Sequence, residues 1–389
     1  MNLKYYLLFL VLYTTSLAGQ TPRLDSLMAV IKTMPDDTSK VNTIYEIARA
    51  YLTELSDFKK VGEYGKRGLD LSRKLNYKKG IAFAMIHVGI FHRTNGNFDL
   101  AFYYDRNALK LMQELGNKKG ESTCLLNIGL SYSEMGKYRE ALDYMKAGVK
   151  IKELIGDKRG VAIANNNMAN ILQTQGDFAG ALKHHLRALQ MREEIQDKSG
   201  IASSFNNIGN IFYSQHKLDE SLVYYLKAAK LQDELQNLRD LSNTYGNMGN
   251  VYREKLQFKE ALTYLLKESK INEQIDNKQG IARSYYNIAL LYLQQNKSQA
   301  ALAYHLRSGE IYKQIEDKKG LAESLGGVGD VYEYIGDFPK AIHYYTEMLV
   351  LTKELDFKEA TKNTYNSLAK IYKKQKQFVL PRGDSYDGK

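Results

Sequence analysis

The chain has 389 residues, of which 44% are hydrophobic and 25% charged, with four prolines and one cysteine. These figures describe a globular chain too apolar for disorder, and they exclude a disulfide scaffold or a zinc site built from several cysteines. The net charge of +11 permits an anionic partner but selects no enzyme class.

Residues 1–18 begin with a short charged start at Lys4, continue as an apolar run from Tyr5 to Tyr13, and end in small residues, with Ser16 and Ala18 at the −3 and −1 positions of a cleavage site. The pattern predicts a signal peptide cut after Ala18 and an exported, periplasmic or otherwise extracytoplasmic protein. The apolar run is too short to span a bilayer comfortably, and nothing later reads as a membrane span. Residues 19–40 hold an amphipathic helix over 22–33, ended near Pro35, which predicts a cap for the structure that follows.

Residues 41–378 obey a period of 40. Gly80, Gly120, Gly160, Gly200, Gly280 and Gly320 share one phase, and Asp240 and Ala360 hold it elsewhere. Counting places from that residue, place 9 is small in all eight of these frames: Gly89, Gly129, Ala169, Gly209, Gly249, Ala289, Gly329 and Ala369. Places 12 and 18 are mostly aromatic, and place 21 is small until Pro381. The offsets are helical: places 8, 9 and 12 form the stripe of a first helix, A, and places 18, 21 and 22 that of a second, B. A glycine between them, as in Met135-Gly136-Lys137, ends helix A because it tolerates positive φ. Small side chains at places 9 and 21 let the two backbones approach. Asn117, Asp157, Asp197 and Asp317 stand where the next helix A needs an N-cap, and the lysines after them read as solvated turns, not as a nucleic-acid stripe. The first repeat is degenerate, with helix A over Ile44–Tyr51 and helix B over Phe58–Leu75. The spacing predicts an all-α array of about eight helix pairs and a half repeat. An irregular tail over 379–389 puts Pro381 and Arg382 where a small residue and a leucine belong.

The segments Asn127–Tyr132 with Tyr138–Tyr144, and Asn247–Tyr252 with Phe258–Tyr264, resemble the tetratricopeptide repeat. The spacing of 40 is similar to the long variant of kinesin light chains, spindle-orientation adaptors and Rap-type peptide receptors. The resemblance implies a right-handed superhelix (an α-solenoid) of antiparallel helix pairs, and a scaffold whose partner is a protein or an extended peptide. It also implies that places 3, 6, 10 and 13 of helix A face a concave groove. Those places hold Asn166, Asn170, Gln173, Ser203, Asn206, Asn210, Asn243, Asn250, Arg253 and Arg283. Amides both donate and accept, so the track suits a peptide backbone, with the arginines favouring a carboxylate at one end. The place 7 asparagines, Asn127, Asn167, Asn207, Asn247 and Asn287, read instead as bonding neighbouring backbone between repeats. Ile86, Ile90, Leu126 and Leu130 offer either an apolar pocket or packing for the cap.

Nothing else in the sequence points to chemistry. His184, His185, His305 and His343 sit at helix B positions and read as packing or surface residues. Gly326-Gly327-Val328-Gly329-Asp330 lies inside a helix and follows no strand, so it is no phosphate loop. Cys124 fills a place reserved for small residues. The sequence predicts no catalytic residue, no metal and no cofactor. It predicts a non-enzymatic binding scaffold or sensor outside the cytoplasm. The alternative is the sensory region of a membrane signalling protein, because similar exported arrays in Bacteroidetes-type bacteria often continue into a histidine kinase, a DNA-binding regulator or a nucleotide cyclase.

Overall fold

The computed structural model describes residues 21–379, so the expected signal peptide over 1–18 and the tail beyond Val379 lie outside the described residues. The chain divides into two units, residues 1–191 and 192–389. The first holds α1 (Pro22–Val30), α2 (Thr38–Ala50), α3 (Phe58–Lys74), α4 (Lys78–Thr94), α5 (Phe98–Glu114), α6 (Lys118–Glu134), α7 (Tyr138–Leu154), α8 (Lys158–Thr174) and most of α9 (Phe178–Glu194). The second holds α10 (Lys198–Ser214), α11 (Leu218–Glu234), α12 (Leu238–Glu254), α13 (Phe258–Gln274), α14 (Lys278–Gln294), α15 (Ser298–Gln314), α16 (Lys318–Ile335), α17 (Phe338–Glu354) and α18 (Lys358–Val379). No strand occurs among the described residues, and helices pair as the sequence pattern predicts.

The chain reverses every 20 residues. From Ser56 to Asp356 a left-handed residue follows each helix at that interval, with glycine at Gly96, Gly116, Gly136, Gly156, Gly176 and Gly336 and other residues elsewhere. The sequence pattern predicts this conformation only in the turn from A to B. The structure uses it in the link between repeats as well, because a helix of either kind ends most compactly in one left-handed residue. The next helix then starts on the predicted caps: Oδ1 of Asn117, Asp157, Asp197 and Asp317 accepts from the backbone N–H of Gly120, Gly160, Gly200 and Gly320.

The glycines that set the phase have a steric cause. A Cβ on Gly200 would lie 2.8 Å from Arg192 Cδ, and one on Gly160 would lie 2.6 Å from Lys152 Cδ. The last turn of the preceding helix B crosses there. Place 9 meets place 25 of its own repeat: a Cβ on Gly209 would stand 2.7 Å from the Tyr225 ring, and one on Gly249 2.6 Å from Leu265. The place 21 residues Ala101, Ala141, Ala181, Ala261, Ala301 and Ala341 are fully buried against those seams.

Both ends differ from the regular repeat. Helix α1 stops at Val30, short of the expected residue 33, and buries Leu24 in a cluster with Ile44, Ile47 and Val61 of the degenerate first repeat. Helix α2 continues into a π-helical turn over Tyr51–Leu55, closed by left-handed Ser56. At the other end α18 runs on to Val379 without the turn that closes earlier A helices, since Lys376, at the turn position, stays helical.

Gly209→Leu should destabilise the α10–α11 pair by about 2 kcal/mol or more, because the Tyr225 ring fills the space beside it. Hydrogen exchange should accelerate locally, and an unchanged melting temperature would refute the packing described. Leu256 is left-handed, with φ of 59°, and its side chain is largely exposed. Leu256→Gly removes a left-handed cost of about 1–2 kcal/mol against about 0.5–1 kcal/mol of added chain freedom. The melting temperature should therefore rise slightly; a fall would show that the leucine is held by its contacts.

Candidate functional site

The ten expected groove residues lie on four A helices, and each unit presents its own part. In the first unit, Asn166, Asn170 and Gln173 share one face of α8, with Asn170 exposed and the other two half-buried. Beside them is Asn165, which the repeat pattern does not single out. It is buried, donates from Nδ2 to the Val161 carbonyl at 2.9 Å, and sets Oδ1 2.7 Å from His184 Nδ1. His184 is thus a packing group, as is the buried His185.

In the second unit Ser203, Asn206 and Asn210 line α10, Asn243, Asn250 and Arg253 line α12, and Arg283 projects from α14. Ser203 is turned back on its own helix, donating to the Ser199 carbonyl at 3.0 Å. Asn247, at place 7, donates from Nδ2 to Oδ1 of both Asn206 and Asn210 at 3.4 Å. It joins consecutive A helices as expected, but through side-chain amides and not through backbone. Tyr225 adds an O–H bond to Asn210 Oδ1 at 2.6 Å, and Thr244 Oγ1 lies 3.2 Å from Asn206 Oδ1. The oxygens of Asn206 and Asn210 are therefore tied to the neighbouring helices. Asn250 Oδ1 and Arg253 Nε are buried and have no hydrogen-bond partner.

Arg283 is already engaged. Its Nε and Nη2 donate to Glu268 Oε1 at 3.3 and 3.2 Å, and Nη2 also donates to Asn243 Oδ1 at 2.5 Å. Glu268 is fully buried, and burial pushes its carboxyl up to about 7 against the pull of Arg283. This pair engages Arg283 within the protein. Glu268 is missed by the sequence pattern of the groove because it belongs to helix B, at place 28. Its signal is a reciprocity of volume. Where place 6 is large, place 28 is small, as in Leu126 against Gly148 at 3.0 Å. Where place 6 is glycine, place 28 is long: a Cβ on Gly246 would meet the Glu268 carboxylate at 2.7 Å, and one on Gly326 would meet Met348 Sδ at 2.8 Å. Gly246 thus lets a helix B carboxylate reach the place 6 side of helix A.

The groove face changes character on α16, where places 3, 10 and 13 are Glu323, Asp330 and Glu333. Tyr345 donates to Asp330 Oδ1 at 2.5 Å, and Lys370 and Lys374 pair with Glu333 at 2.9 and 3.0 Å. In the first unit Ile86 and Ile90 are buried with Leu69 and Met112, and Leu126 and Leu130 pack on a cluster around Met145, so they serve the core. Among the described residues no three His, Cys, Asp or Glu side chains gather as a metal site requires, and no helix is long and apolar enough to cross a membrane.

A tetratricopeptide repeat family model matches residues 80–153, 160–234 and 240–314, and a second tetratricopeptide repeat model matches residues 324–359. No curated protein sequence matches the chain significantly. Among solved structures, the apo quorum sensor NprR from B. thuringiensis is 17% identical with a TM-score of 0.63, over 84% of this chain and 92% of that one. A signal-transduction ATPase with numerous domains and a tetratricopeptide repeat sensor, from Pyrococcus horikoshii, is 15% identical with a TM-score of 0.64, over 89% of this chain and 52% of that one. A Rap protein complexed with competence and sporulation factor is 14% identical with a TM-score of 0.53, over 86% of this chain and 97% of that one. At these identities the likeness is one of fold. With the helix pairs, their left-handed turns and a family model spanning more than half its length, the chain belongs to the tetratricopeptide repeat family.

Proposed function

We propose that the chain is a non-enzymatic binding array that holds a protein segment or extended peptide against the A helices of its second unit, and that it acts outside the cytoplasm. The row Asn206, Asn210, Asn250 and Arg253 carries this reading. Two of its amides are fixed by bonds to neighbouring helices, which lowers the ordering cost of binding. Asn250 and Arg253, half-buried on α12, add a further amide and a guanidinium to the row. An extended peptide supplies N–H groups, carbonyls and a terminal carboxylate for that set. The Rap protein solved with competence and sporulation factor, and the quorum sensor NprR, support a sensing role by likeness of fold.

A second reading makes the chain the sensory part of a signalling protein. It is favoured by the ATPase in which a tetratricopeptide repeat sensor is joined to further domains, and of which this chain covers about half. The charged start, apolar run and small exit over residues 1–18 support export in either case.

Asn250→Ala combined with Arg253→Gln should leave the melting temperature unchanged, since neither buried atom has a partner to lose. Peptides selected by the wild-type chain from a displayed random library should bind the double variant about tenfold more weakly or worse, as two lost contacts imply. Equal affinity would remove the groove reading. Mass spectrometry of the protein recovered from the periplasm of an expressing bacterium should give an N-terminus at Gly19, and a full-length chain confined to the cytoplasm would overturn the export reading.

A further inference from the structure

The first unit has a cavity of its own, of about 410 Å³, between the A helices α2 and α4. That volume falls among small-molecule pockets, which run from about 300 to 1,000 Å³. Its floor is helix α3 at Gly65 and Gly68, where a Cβ would stand 3.1 Å from His87 Cβ and 3.2 Å from Ile44 Cγ2. Lys79, Phe83 and His87 follow one another at intervals of four along α4, so they share one face of that helix, and all three line the cavity. From α2, the Tyr45 ring lies 4.8 Å from that of Phe83 and 5.1 Å from that of His87. Tyr45 and Phe83 are half-buried, and His87 is 4% exposed. Burial lowers the His87 pKa to about 4, so its ring is uncharged at neutral pH. The three rings together make a neutral aromatic wall.

The charge around that wall is one-sided. Lys79 and Lys119 are exposed and line the cavity, and among the described residues neither makes an ion pair. The acidic residue that lines it, Glu46, is already engaged: Arg23 donates to Glu46 Oε2 at 2.5 Å, and Arg49 donates to Oε1 at 3.5 Å. The glutamate is thus neutralised from outside the cavity, and the two lysines leave an excess of positive charge beside the rings. A lysine in a link between repeats is ordinarily only solvated. Here two of them border one cavity, and the first stands one helical turn from Phe83.

We propose that this cavity binds a flat aromatic carboxylate, with its ring against Tyr45 and Phe83 and its carboxylate towards Lys79 and Lys119. Aromatic rings prefer offset or edge contact with other rings, which an aliphatic body does not reproduce. A carboxylate accepts charge-assisted hydrogen bonds from ammonium groups, and unpaired cations disfavour a cationic ligand. The volume suits a small molecule and not an extended peptide. Every residue of the site belongs to the first unit, so it does not depend on the asparagine row of the second.

The test titrates 2-naphthoate and its neutral amide, 2-naphthamide, matched in shape, into the full chain, with binding followed by ligand-observed NMR. The wild-type chain should bind both, and naphthoate about tenfold more tightly, as one hydrogen bond to a charged group implies. Lys79→Gln combined with Lys119→Gln changes only exposed side chains. It should keep the melting temperature and the naphthamide affinity and lose the preference for naphthoate. Phe83→Leu keeps an apolar side chain but removes the ring, and should weaken both probes by about three- to tenfold. Asn250→Ala combined with Arg253→Gln, in the second unit, should change neither affinity. Unchanged naphthoate binding in the lysine or the Phe83 variant, or its loss in the second-unit variant, would overturn the site. Equal binding of the two probes by the wild-type chain, or binding of neither, would overturn the ligand class.

Discussion

Two helices bury a shared face only when their backbones come close, and from the second repeat to the eighth small residues at places 9 and 21 permit that approach. Ala141, Ala261 and Ala341 leave no exposed surface, while Met145, Leu265 and Tyr345 fill the space opposite the place 9 glycines. Everything else follows from this contact. It fixes how far helix B sits from helix A, and so which side chains of B reach beyond A. It also explains the glycine at the start of most repeats, since the incoming helix A must pass under the last turn of the preceding helix B. Stability then grows repeat by repeat, each leaning on its neighbours.

Because the seam carries the stability, the other faces are free to vary. On the A side, variation produces polar chemistry. Asn247 ties Asn206 to Asn210 and leaves a row of amides held in place. Gly246 admits Glu268, which takes Arg283 out of the pool of free cations. The groove of the second unit is therefore graded: amides on α10, amide and cation on α12, a neutralised pair between α13 and α14, and carboxylates on α16.

On the B side, variation in volume matters more than charge. The seam tolerates loss of a side chain at place 29 because the helices are held together at places 9, 21 and 25. Place 29 is leucine in Leu69, Leu109, Leu189 and Leu349 but small in Ala229, Ser269 and Gly309. Place 25 shows the same tolerance, taking Met145, Tyr225, Leu265 and His305 in turn.

The sequence alone determined the helix pairs and the turn from A to B, because a period of 40 with small and aromatic residues at helical spacing fits that packing, while the left-handed link between repeats came from the tertiary structure. It also determined which asparagines share a face of helix A. It did not show that Asn206 and Asn210 already spend their oxygens on neighbours, nor that Arg283 is paired. Those facts depend on side chains from different repeats, such as Tyr225, Asn247 and Glu268, meeting across helices. The reciprocity of places 6 and 28 was present in the residue columns but had no meaning until the two places were seen to touch.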